Sequence, residues 1–145
     1  MLPATEERVP AHTSPKDNRA IRMKTLDRLH GCASDLSKIP LRFQTLDREW
    51  DIERTLEANA AGIALLGLAL GASVNPWFFA LPAIVAGFLM QHALQGWCPP
   101  VPILRKLGFR TAREIEEERM ALKAMRGDFT GVEGAPDRSY AAVSG

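Results

Sequence analysis

The chain has 145 residues, 18 Lys and Arg against 17 Asp and Glu, and a mean hydropathy of −0.09, figures that alone suit one small soluble domain. A net charge of +1 gives no basis for nucleic-acid binding. Two cysteines, Cys32 and Cys98, have no partner pattern and support neither a disulfide framework nor a structural zinc site, so both are expected as free thiols.

The stretch from Met1 to Arg22 holds charges and prolines but no apolar run of about 7 to 15 residues, so no cleavable signal peptide is visible. Residues 1–13 show almost no apolar periodicity and are expected to be a disordered arm. A helix is predicted from Pro15 to His30, with Ser14 as N-cap and Gly31 past its end. Ile21, Met23, Leu26 and Leu29 give it only a partial apolar stripe. After a loop around Lys38 to Pro40, one amphipathic helix through Leu46, Trp50, Ile52 and Leu56 is predicted to lead into a membrane. Residues 14–55 thus form a cytoplasmic amphipathic region. Cys32 lies in a loop, Gly31 to Lys38, that bears a superficial likeness to sulfurtransferase loops, but the α/β domain such a loop requires does not fit into this stretch.

Between Glu57 and Arg105 there are 47 residues without Asp, Glu, Lys or Arg. A hydrocarbon core of roughly 30 Å needs about 20 apolar residues per helix, so this gap holds two spans, about 56–74 and 77–95, joined by a short turn. In that turn Asn75 caps the second helix and Pro76 takes its first position, where a missing N–H costs nothing. The turn carries no cation, whereas Lys38, Arg42, Arg48 and Arg54 precede the pair and Arg105, Lys106, Arg110 and Arg113 follow it. Both termini are therefore expected to be cytoplasmic. Trp77 is expected at the far interface, and Trp50 and Trp97 at the near one.

A capping box, Thr111 to Glu114, opens a predicted helix that runs to Met125 and stops at Gly127. Residues 98–126 form the segment and helix after the membrane. Residues 127–145, rich in Gly, Ser, Pro and Ala, are expected to be a disordered tail. The fold class expected is an all-α membrane protein, a transmembrane helical hairpin (56–97) with short amphipathic cytoplasmic helices on both sides.

Gly67 and Gly71, preceded by Ala60 and Ala64, form a small-residue stripe, and Ala83 with Gly87 gives the second span a similar pair. Small residues let helix backbones approach closely in lipid, either within one hairpin or between two copies in a homodimer. Asn59, Gln91, His92 and Gln95 fall near the cytoplasmic ends of the spans. They form either a shallow polar mouth or interhelical hydrogen bonds close to hydrated headgroups. His92 has no second ligand nearby in sequence, so no metal and no cofactor is expected. Cys98 precedes Arg105 and Lys106, and nearby cations lower a thiol's pKa, so a reactive thiol stands beside the alternative of an apolar filler. The charged run Arg113 to Lys123 reads as a solvated helical face with i, i+4 pairs. The alternative is docking to a protein partner or to headgroups through Arg105, Lys106, Arg110 and Arg113.

The Asn75-Pro76-Trp77-Phe78 turn, the Gly96-Trp97-Cys98-Pro99 motif after the second span, and Ile103 to Gly108 beyond it together resemble the YgaP-like transmembrane domain of bacterial inner membranes, over about residues 48–112. That resemblance implies a multi-pass two-helix hairpin able to dimerise, sometimes fused to a rhodanese domain, and it suggests a link to sulfur metabolism. The stretch before the hairpin is too short for a rhodanese. The expected function is a non-enzymatic inner-membrane hairpin that dimerises and anchors or recruits a cytoplasmic protein. The alternative is an oligomeric permeation module for a sulfur-containing anion, or thiol and persulfide chemistry at Cys98.

Overall fold

The computed structural model describes residues 7–144, and every regular element among them is helical. The elements are α1 (Arg8–Ala11), α2 (Pro15–Ala33), α3 (Ile39–Arg48), α4 (Ile52–Ser73), α5 (Ala80–Gln95), α6 (Val101–Leu107), α7 (Ala112–Arg126) and α8 (Pro136–Ser144). Single 3₁₀ turns at Leu36–Lys38 and Pro76–Phe79 precede α3 and α5.

Most boundaries follow from local capping chemistry. Ser14 Oγ accepts the Asp17 N–H at 3.1 Å, and Asn75 Oδ1 accepts the Trp77 N–H at 2.9 Å. Thr111 and Glu114 close a reciprocal capping box, at 3.2 Å to the Glu114 N–H and 2.9 Å from the Thr111 N–H. Gly127 ends α7 with φ of 89°, a left-handed conformation that favours glycine.

Four boundaries differ from the sequence expectation. Gly31 does not stop α2, which runs on to Ala33. The single helix expected through Leu46 and Leu56 is two helices, broken at Glu49–Asp51. Asp51 Oδ1 accepts the Arg54 N–H at 2.6 Å and starts α4 afresh, while the Ile52 N–H bonds to the Arg110 carbonyl at 2.8 Å. Residues 1–6 of the arm expected to be disordered lie outside the described residues. Residues 8–11 form the single turn α1, held by burial of Val9. The tail expected to lack structure contains α8, whose terminal carbonyls at Ala142 and Val143 accept from Lys123 Nζ at 3.2 and 2.8 Å. A buried ammonium at a helix C-terminus satisfies otherwise orphaned carbonyls and the negative end of the helix dipole.

Two apolar clusters hold the helices. Cys32, Ile39, Leu46, Ile115 and Leu122 join α2, α3 and α7 into a three-helix platform. Val9, Ile52, Leu56, Cys98 and Val101 join α1 and α6 to the start of α4 and the segment after α5. Away from these clusters the pattern reverses. α4 and α5 pack against each other, yet α5 buries none of its residues and α4 buries only Gly67 and Gly71 beyond Ala60. Leu65, Val74 and Trp77 are 67, 69 and 84% exposed. Both helical segments are long and apolar enough to cross a membrane.

Candidate functional site

Three features carry the residues singled out by the sequence: the α4–α5 seam, the junction where that pair meets the platform, and a buried lattice of ion pairs behind the junction.

The seam is built from the small residues of α4. Ala60, Gly67 and Gly71 are buried and Ala64 is half-buried, at the i, i+4, i+7, i+11 spacing of one helix face. A Cβ on Gly67 would stand 2.7 Å from Pro82 Cδ, and one on Gly71 would stand 2.7 Å from the Phe79 ring. Glycine is therefore required at both positions for this approach. Ala83 and Gly87 are exposed, and nothing lies within 4 Å of a Cβ placed on Gly87, so these two residues stand outside the seam.

The four polar residues near the junction do not converge. Asn59 Nδ2 donates to the Thr55 carbonyl of its own helix at 2.8 Å, Gln95 is exposed, and Gln91 is half-buried. Of the four, only His92 lines a cleft of about 250 Å³, with Arg8, Glu53, Gly96, Thr111 and Arg113 among its walls. His92 Nδ1 is buried without a hydrogen-bond partner among the described residues. The Arg8 guanidinium crosses the same region to the Ala93 carbonyl, a contact between residues 85 apart that the sequence offered no way to find.

Cys98 is 6% exposed and packs in the core with Ile52, Leu56 and Val101, and burial pushes its thiol up. The sequence placed Arg105 beside it as an activating cation, but the Arg105 guanidinium turns inward. Nη1 donates to Glu114 Oε2 at 2.6 Å and to the Phe109 carbonyl at 3.0 Å, and Nη2 donates to Glu114 Oε1 at 2.8 Å and Asn18 Oδ1 at 2.8 Å. Every donor of this 1%-exposed side chain that points into the protein has a use, so Arg105 is committed to Glu114 rather than to a thiolate, while Lys106 stands on the exposed side of α6.

The lattice centres on Glu118, whose side chain is fully buried. Its carboxylate accepts from Arg42 Nε at 2.7 Å and Nη2 at 3.0 Å, from Arg28 Nη2 at 3.3 Å, and from Arg110 Nη1. Arg110 then spans to Glu49 through Nε at 2.7 Å and Nη2 at 2.6 Å. Burial pushes Glu118 up, but the hydrogen bonds from Arg42 and Arg110 and the charges of Arg110 and Arg28 outweigh it, leaving the carboxyl below its ordinary value. Glu114 is held low in the same way, burial being outweighed by Arg105 and the Thr111 N–H. The solvated face expected over Arg113 to Lys123 is present in the exposed Arg113–Glu117 pair at 2.9 Å, but Glu118 and Lys123 of that run are buried. Arg105 and Arg110, placed by the sequence among groups facing lipid headgroups, are likewise buried.

The tryptophans lie at the two ends of the α4–α5 pair. Trp77 projects from the turn between them, while Trp50 precedes α4, with Arg54 Cζ 4.4 Å from its ring centroid, and Trp97 follows α5, half-buried. Among the described residues no group of three His, Cys, Asp or Glu comes together. Comparison with family models, with curated proteins and with solved structures finds no match. The likeness to the YgaP-like domain therefore rests on the residues quoted above.

Proposed function

We propose that the chain is a two-helix membrane hairpin of the bacterial inner membrane, multi-pass with both termini cytoplasmic, whose folded platform anchors or recruits a cytoplasmic protein without chemistry of its own. The observation behind this reading is the contrast in exposure. Twelve large apolar side chains between Ile63 and Leu94 stand more than a third exposed. Leaving such side chains fully in water forgoes on the order of 1.5–3 kcal/mol each, so even at about half exposure the total is comparable with the roughly 5–15 kcal/mol by which a domain is stable. A bilayer removes that cost, and the charge-free run together with the cations on both flanks supports the orientation.

The platform supports the recruiting role, because a bare anchor has no need of three packed helices and a buried ion-pair lattice. Dimerisation is part of the proposal, with Ala83 and Gly87 as its contact face, since the small residues of α4 are engaged within the pair. A permeation module for a sulfur-containing anion is the second reading, favoured by the cleft under His92. Buried Cys98 supports packing rather than persulfide chemistry.

The test is expression in a bacterial host with a reporter fused after Gly145 that is active only in the cytoplasm, combined with alkaline carbonate extraction of the membranes. An active reporter on a carbonate-resistant chain is the expected result. Release of the intact chain by carbonate would falsify the membrane reading.

A further inference from the structure

Helix α6 has two faces of opposite character. Val101 and Arg105 are buried and Leu104 packs against the core that holds Cys98. Ile103 and Leu107, four residues apart and hence on one side of the helix, are 63 and 69% exposed. Leu107 shares a groove with Trp50, Gly108 and Phe109, so the half-exposed indole adjoins the same apolar side. Among the described residues, Ile103 and Leu107 stay largely uncovered, and Trp50 keeps about half of its surface open beside the Arg54 side chain.

Two cations frame them. Arg54 stacks over the Trp50 ring, and Lys106 is exposed between Ile103 and Leu107 in sequence. Among the described residues neither makes an ion pair, in contrast to Arg105 and Arg110, which are consumed by Glu114, Glu49 and Glu118. The position of the patch in the chain selects its occupant. Trp50 lies two residues before α4, and α6 begins six residues after α5 ends, so the patch is tethered to both helices at the same end of the pair. An indole, two aliphatic side chains and two long cations that can carry their charges away from an apolar surface are the groups that suit the boundary between acyl chains and phosphates.

We infer that Trp50, Ile103 and Leu107 form a foot that lies in the headgroup–acyl boundary of a phospholipid bilayer, with Arg54 and Lys106 at the level of the phosphates. The inference rests on the membrane reading above. It replaces the buried Arg105 and Arg110 as lipid-facing cations and fixes the rotation of the platform by setting α6 flat on the membrane.

The full chain is reconstituted in phosphatidylcholine vesicles that carry bromine either near the headgroup end or deep in the acyl chain, as two single-tryptophan proteins. One retains Trp50 (Trp77→Phe, Trp97→Phe) and the other retains Trp77 (Trp50→Phe, Trp97→Phe). Trp50 emission is expected to be lost more strongly to shallow than to deep bromine. Ile103→Asp with Leu107→Asp in the Trp50 protein is expected to return that emission toward its unquenched level, because both positions are exposed and the core is untouched. Trp77 quenched with Trp50 unquenched overturns the foot and leaves the membrane reading standing. The same holds if Trp50 is shielded from aqueous iodide without bromine quenching, which assigns the patch to a second copy or another protein. Trp50 quenching indifferent to the two aspartates removes α6 from the foot. If neither tryptophan is quenched, the membrane reading fails and the inference with it.

Discussion

Arg42 of α3 grips Glu118 of α7 through two parallel hydrogen bonds, Nε to Oε1 at 2.7 Å and Nη2 to Oε2 at 3.0 Å, around a carboxylate with no solvent exposure. Arg28 and Arg110 approach the same carboxylate, so one buried acid meets three guanidiniums, and Glu49 adds a second carboxylate to Arg110.

Removing that acid takes from Arg42 its two short hydrogen bonds and leaves Glu49 as the acid that holds Arg110. Breaking one side of a buried pair costs about 3–5 kcal/mol, so Glu118→Ala is expected to lower the unfolding free energy of the platform, measured in detergent, by that amount. The exposed Glu117→Ala is expected to change it by less than about 0.5 kcal/mol. Equal effects from the two substitutions would remove Glu118 from the centre of the lattice.

Acid should act through the same groups. Glu114 and Glu118 have folded pKa values below their ordinary ones, so their contribution is complete above the unfolded carboxyl value, near about pH 4.3. As pH falls through the lower folded values that stability is lost, because the unfolded chain takes up protons first. Thermal melts taken from neutral pH downward are expected to fall below about pH 4.3, and Glu118→Gln is expected to flatten that fall. An unchanged slope in the variant would show that other carboxyls govern it.

The seam and the outer face of the pair can be separated with two glycines. Gly67→Ile drives a side chain into Pro82 and Leu81 and is expected to destabilise the α4–α5 pair by about 1–3 kcal/mol, measured by unfolding in bilayers. Gly87→Ile meets open space within the chain and is expected to leave the pair intact while weakening any homodimer, read by cross-linking in membranes. A destabilised pair from Gly87→Ile would place that residue in the seam.

Cys98 should behave as a packed side chain. In a Cys32→Ser background its alkylation by a small maleimide is expected to be slower than that of free cysteine at neutral pH, and to reach the free rate only on denaturation. Rapid labelling of the folded protein would restore the thiol site that the sequence suggested.

Lys123 holds the end of α8. Lys123→Met removes both hydrogen bonds to Ala142 and Val143, and hydrogen exchange over residues 136–144 is expected to accelerate while α2 and α3 retain protection. Unchanged exchange there would mean that Lys123 does not secure the helix.

What the sequence revealed divides by distance along the chain. The caps at Ser14, Asn75 and Thr111 were legible because donor and acceptor lie within three residues of each other. The two apolar segments were legible because a charge-free run is a property of composition. Arg105 and Arg110 were misplaced because their acceptors include Asn18, 87 residues away, and Glu49, 61 residues away, and a lone arginine carries no mark of such a partner. For Cys98 the sequence left a reactive thiol and an apolar filler open, and it could not choose between them because the thiol's neighbours Ile52 and Val9 come from elsewhere in the chain. The break before Ile52 was hidden by a hydrophobic period that continues across it, while Asp51 was available as a cap but went unread.

The bond from the Ile52 N–H to the Arg110 carbonyl joins the first residue of α4 to the link ahead of α7. With Ile52 fully enclosed and Arg110 locked by two carboxylates, that attachment has no slack. Torque applied to the platform is passed to α4 as if through a keyed shaft, and a change in the tilt of α4 turns the platform in return. Under the membrane reading proposed above, a partner that gripped the platform would gain mechanical purchase on the apolar pair, and the thickness of a surrounding bilayer would bear on which way the platform faces.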